Sequence, residues 1–129
     1  MSVAPILALR QAIVTHLRAD AAVTATAVGT RIYGERAPAN PQSPFARYGV
    51  SDALPGFDIS APIHIFSKAE FTDDVNSIAE AIGRSLDGAV LDLSDDRKAY
   101  LSWEGQRVVG SEEEWHAIVT IGARIPRSC

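Results

Sequence analysis

The chain has 129 residues, 47% of them hydrophobic and 22% charged, the size and mix of one ordinary soluble domain spanning 1–129. A chain of this length buries roughly two thirds of its unfolded surface, so it needs neither disulfides nor a structural metal to hold a core. Twelve Lys and Arg against sixteen Asp and Glu leave a net charge of −4, which argues against a domain whose main work is gripping phosphates through a basic surface.

The charge is unevenly spread. Residues 1–47 hold five Arg against Asp20 and Glu35, a net of +3, whereas residues 48–129 hold seven basic and fourteen acidic residues, a net of −7. That asymmetry hints at a polar subunit, although both halves can mix on one surface. The single cysteine, Cys129, excludes an internal disulfide and a Cys/His metal framework, and it fits a reducing compartment. The apolar run Val3 to Leu9 has no basic stretch ahead of it and is followed by Arg10, which fails the signal-peptide pattern. Nothing approaches eighteen consecutive apolar residues, so no membrane span is expected.

Ile6, Leu9, Ile13 and Leu17 recur at helical spacing, and Pro5 suits a first turn, predicting a helix over 5–18. Asp20 is placed to cap a second, alanine-rich helix over Ala21 to Val28, ended by Gly29. Arg31-Ile32-Tyr33 reads as a short strand, and the prolines at 38, 41 and 44 make Gly34 to Pro44 the longest loop. Phe45 to Ser51 reads as a strand broken by the turn Leu54-Pro55-Gly56. Phe57 to Ser67 alternates as a strand whose Pro62 favours an edge or a bulge.

Thr72, Asp73 and Asp74 open a long helix with Phe71, Val75, Ile78, Ala79, Ile82 and Leu86 on one face, stopped by Asp87-Gly88. After the apolar run Ala89 to Leu93 and a charged turn, Ala99 to Val109 and Trp115 to Ile125 form an antiparallel pair joined by a hairpin at 110–114. The expected fold class is α+β: a mixed or antiparallel sheet of about four strands, with two amphipathic helices packed on one face. The other face is left open, and an open semi-apolar face or an uncovered edge is a place for another protein to dock.

Chemistry is thin. His16 on the first helix reads as a solvated or packing histidine. His64 and His116 lie off the regular apolar faces of their strands, and antiparallel pairing can bring them together, but no third ligand has diagnostic spacing. The acids Asp73-Asp74, Asp95-Asp96 and Glu112 to Glu114 read as caps and solvated turns, without the glycine and spacing of a calcium loop. Gly29 to Gly34 lacks the lysine of a phosphate loop. Trp103 and Trp115 read as core or cross-strand packing. No catalytic residue, no cofactor site and no metal site is expected.

Gly29-Thr30-Arg31-Ile32-Tyr33, the proline-rich loop, Pro44-Phe45 with Tyr48-Gly49, His64-Ile65-Phe66-Ser67 leading into a helix that ends Leu86-Asp87-Gly88, and a final long hairpin follow one another in this order. Together they resemble the small tail-completion, or tail terminator, proteins of long-tailed phages and phage-like gene transfer agents, over nearly the whole chain. The sequence departs from the common pattern at Phe66, where tryptophan is frequent, and in the compact stretch from Gly49 to His64.

The resemblance implies a structural protein, not an enzyme. Such a subunit forms a six-fold ring on the head-proximal end of the tail tube, stops tube polymerisation and presents the surface that joins the head. Its implied partners are further copies of itself, the tail tube protein and a head-tail connector or stopper. DNA passes through the lumen without specific binding. The implied location is the host cytoplasm during assembly, then the neck or tail of the particle. Arg31, Tyr33, Arg36, Arg47 and Tyr48, on the basic half, are the expected interface residues. The competing readings are a connector or other minor tail component, a metal-dependent enzyme using His64 and His116, and a cytosolic ligand-binding domain.

Overall fold

The computed structural model describes residues 5–26, 28–34, 39, 41–49, 52–54, 58–68, 73–93, 97–110 and 114–126. The elements run α1 (Pro5–Ala19), α2 (Ala21–Thr24), β1 (Ile32–Tyr33), β2 (Phe45–Tyr48), β3 (Asp52–Leu54), β4 (Asp58–Ser67), α3 (Asp73–Leu86), β5 (Val90–Asp92), β6 (Lys98–Gly110) and β7 (Trp115–Arg124). The strands form one seven-stranded sheet in the order β1-β2-β4-β7-β6-β5, with β3 also paired to β4. β1 and β2 run parallel, and every other pair is antiparallel.

Sequence alternation decides which face is buried. Ile59, Ala61, Ile63 and Ile65 of β4 and Ala117, Val119, Ile121 and Ala123 of β7 turn inward and are almost wholly buried. Ala46 and Tyr48 of β2 and Ala99 and Leu101 of β6 extend the same apolar surface. Period-2 side-chain geometry then sends the intervening residues to the opposite face. Helix α3 covers the apolar side, packing on β4, β6 and β7 through Val75, Ile78, Ala79, Ile82 and Leu86, all fully buried. Helix α1 buries Leu9, Ile13 and Leu17 and touches β1 and β5, the two ends of the strand order, as well as α2 and α3. One helix reaching both outer strands curls the sheet around its core.

Local chemistry sets the ends of the elements. The Asp20 carboxylate accepts from the Ala22 amide at 2.9 Å and caps α2, relieving one of the orphan donors of a helix start. Gly88, at φ +77°, follows α3 in the left-handed conformation that stops helices. Its amide donates to Leu101 on β6 at 2.9 Å, so the stop also docks the helix end to the sheet.

The expectation of an α+β fold with helices on one face of a mixed sheet agrees with the structure. The expected count of about four strands is low. β1, β3 and β5 have only two or three residues, too few to show a period, and each gains its pairing from a longer neighbour. Helix α2 ends at Thr24 rather than Val28, where the Thr26 hydroxyl donates to the Val23 carbonyl, the local competition for backbone that makes threonine a poor helix residue. Pro62 marks neither an edge strand nor a bulge, since β4 is central. β2 pairs with β4 at Ile63 to Phe66, and β3 pairs with it at Asp58 to Ser60. Pro62 therefore falls in the gap where β4 passes from one partner to the other, and its missing donor costs no ladder bond. Thr72, Pro55, Gly56 and 111–113 lie outside the described residues.

Candidate interaction surface

The face of the sheet away from the helices carries a row of rings. Phe45 on β2, Phe66 on β4 and His116 on β7 occupy adjacent strands, because the register sets Phe45 opposite Phe66 and Phe66 opposite His116. Phe45 and Phe66 stack with centroids 5.1 Å apart, and Phe66 and His116 stack at 4.4 Å. Tyr33 on β1 extends the row, 6.2 Å from Phe45. The Arg47 guanidinium stands 5.8 Å from the centre of the Phe66 ring, an arrangement worth about 0.5–1 kcal/mol at an exposed site.

His64 closes the cluster. Its Nδ1 is 2.7 Å from Nε2 of His116, a hydrogen bond that needs one ring to donate and the other to accept. Both histidines are held below the ordinary imidazole range. For His64 the causes are partial burial, then the charge of His116, then Arg47. For His116 they are partial burial, then Arg47, with Glu114 opposing and Arg107 adding. A neutral pair at pH 7 follows. Gly49 makes room for it: a Cβ there would lie 2.7 Å from Nε2 of His64 and 2.9 Å from Cγ of Pro62.

The same face holds much of the chain's exposed apolar surface. Of Leu7, Val90, Tyr100 and Val109, the exposed large hydrophobics among the described residues, the last three stand on it. Arg107 and Val109 lie on the outer half of β6. Past an irregularity between Trp103 and Gly105, that half is largely exposed on both sides and forms an arm with β7. β5 pairs with β6 only at Lys98 to Tyr100.

The expected interface residues are distributed unequally. Tyr33 and Arg47 are on the open face, inside the aromatic row. Arg31 lies just before β1, where its Nε donates to the Pro44 carbonyl at 2.9 Å and secures the entry to β2. Tyr48 points the other way and is 1% exposed, because alternation on β2 puts Arg47 out and Tyr48 in. Its ring is core, and the expectation that it meets a partner is corrected. Arg36 lies outside the described residues. Phe45, Phe66 and Val109 were missed as surface residues. Apolar periodicity assigns such side chains to a core, and only the register sets Phe45, Phe66 and His116 side by side.

The histidines do meet, as antiparallel pairing allows, but the described residues contain no group of three or more His, Cys, Asp or Glu that could hold a metal. Trp103 and Trp115 pack against the core. Among the described residues, no helix is long and apolar enough to cross a membrane. The grooves formed by the described residues are open rather than enclosed. One of about 400 Å³ between α1 and β5 contains His16 and Asp92, with the His16 ring 3.2 Å from the Ser85 carbonyl.

This fold has a counterpart in an assembled particle. A chain in the solved structure of the virion of a native gene transfer agent (GTA) particle superposes with a TM-score of 0.84 at 24% identity, over 96% of this chain and 98% of that one. No curated protein sequence matches the chain. The family described as Tail completion protein gp17 matches residues 11–126, and the chain belongs to that family. It is a structural tail-completion protein rather than an enzyme.

Proposed function

We propose that the chain is a tail terminator: a subunit that forms a ring on the head-proximal end of the tail tube, ends tube polymerisation and offers the surface that the head joins. Membership of the tail-completion family over residues 11–126 carries the reading. Likeness in fold to a chain of a gene transfer agent virion supports it. A subunit with one face packed by helices and another left with half-buried rings and exposed Tyr100 and Val109 has the two unlike surfaces that a head-to-tail contact uses, and such contacts close into rings when their rotation closes.

The partners in this reading are further copies in a six-fold ring, the tube protein below and a connector or stopper above. Arg31, Tyr33 and Arg47 belong to the contact surfaces. The net charge of −4 suits a channel through which DNA slides without being held, since few phosphates are trapped. The protein acts in the cytoplasm of the producing cell and ends in the neck of the particle.

Deleting the gene and viewing the particles by negative-stain electron microscopy, with complementation as control, tests this. Tails of uncontrolled length lying apart from filled heads are expected. Tails of normal length with unjoined heads would instead assign the chain to the connector, and normal joined particles would overturn both assignments.

A further inference from the structure

We infer that the open sheet face around Phe66 and His64 is the seat for the α2–α3 face of a neighbouring copy of this chain. The inference rests on the ring reading and adds to it which two surfaces meet.

The geometry of the row selects protein over nucleic acid. Phe45, Phe66 and His116 stack on one another at 4.4–5.1 Å with interplanar angles of 16–24°. This stacking takes both flat faces of Phe66 and one face each of Phe45 and His116, with Tyr33 and His64 tilted against the two end rings. A base needs a free ring face to stack on, whereas ring edges flanked by Val109, 44% exposed, pack against apolar and helical protein surface. An exposed apolar area of this kind on a small domain marks an interaction site.

Charge selects the partner. Around the rings stand Arg47 and Arg107, whose charges act on the histidine pair against that of Glu114, and farther along the face Glu104 lines one groove with Arg107. The outward side of the α2–α3 pair is acidic, with Asp20, Asp74, Glu80 and Asp87 against Arg84, itself paired with Glu80. A groove of about 430 Å³ runs between these helices, lined by Asp20, Ser77, Glu80 and Arg84 among others. The ring-bearing face, with Arg47 and Arg107 near its rings, and the acidic helical face lie on opposite sides of the same two-layer domain. A contact between unlike faces repeats from copy to copy and closes into a ring where its rotation closes, and opposite potentials fix its direction. The β6–β7 arm, largely exposed beyond Trp103 with Val108 held against the core, carries Arg107 and Val109 outward to make that reach.

Photo-crosslinking in assembled particles tests the assignment. The full chain is produced with p-benzoylphenylalanine at Val109 in one strain and at Ser77 on α3 in another, and crosslinked peptides are mapped by mass spectrometry. The Val109 probe is expected to capture α2 or α3 of a second copy, and the Ser77 probe to capture the β6–β7 arm or β4. In the strain carrying the probe at Ser77, Val109→Asp is expected to cut the copy-to-copy yield at least about tenfold, the scale of a well-placed interface residue, while the thermal melt of the isolated chain is unchanged. Arg47→Glu is expected to lower the yield, and Arg47→Glu combined with Glu80→Arg to recover part of it. Capture of the tube protein or DNA from Val109, with copy-to-copy products still arising from Ser77, overturns the assignment and leaves the ring standing. Absence of copy-to-copy products from both probes overturns the ring reading as well.

Discussion

Gly83 lies on α3 where the indole of Trp103 crosses the helix, so close that a Cβ on residue 83 would overlap the ring. Alanine is the better helix former by about 0.5–1 kcal/mol, yet the rigid indole has no flexible end to swing away. Gly83→Ala is therefore expected to destabilise the domain, by about 1–3 kcal/mol as overpacked cores do, in urea unfolding of the purified chain. A gain in stability would show that the indole moves. The His64–His116 pair gives a second prediction at this scale. Both imidazoles are lowered from an ordinary value of 6.5, so the unfolded chain binds more protons below that pH. The pair's contribution is fully present above pH 6.5 and is lost as pH falls from there through the folded values. Partial protonation sets a charged ring among Arg47, Arg107 and the partner histidine, with Glu114 as the opposing charge. Thermal melts from pH 7.5 downward are expected to drop more steeply for the native chain than for a variant carrying His64→Gln and His116→Gln. Identical slopes would show that the pair does not titrate as a unit.

Among the elements, the short α2 matters because Asp20 ties it to α3. One carboxylate oxygen caps the helix at Ala22 and the other accepts from the Ser85 hydroxyl at 2.5 Å. These two bonds, in that order of Ser85 then Ala22, hold its carboxyl below the usual value of 3.8. The contribution is present above that pH and lost as pH falls through the lowered value. Asp20→Ala is expected to cost about 0.5–2 kcal/mol, near the lower end because the site is partly exposed, and Asp20→Asn to retain most of the cap. Equal stability of native and Asp20→Ala chains at pH 7 would contradict this. The elements also show what was legible in the residues. Helices α1 and α3 and strands β4, β6 and β7 are long enough to display a period, and their faces could be assigned before any pairing was known. The Asp20 cap and the Gly88 stop were equally readable, since each acts on its immediate neighbours. β3 was not legible, because three residues beside a turn carry no period and the strand exists through its pairing with β4. The aromatic row was hidden for the same reason: Phe45, Phe66 and His116 are separated by twenty residues or more and become neighbours only through register.

At the scale of the molecule, the domain has one satisfied face and one unsatisfied one. Helices α1 and α3 cover the apolar side of the curled sheet, and α1 reaches both of its outer strands. The opposite side keeps Val90, Tyr100 and Val109 in solvent, with the basic ring cluster at one end of the face and acidic helices behind it. Family membership makes assembly into a tail the context in which that imbalance is resolved. The measurement that bears most directly on this account is a cryo-electron microscopy reconstruction of the neck of the particle. A closed ring of this chain between the tube and the head, with the Phe66 and Val109 face of each copy covered by the next, is the predicted result. A single copy at the tube end, or copies that never touch one another, would contradict it.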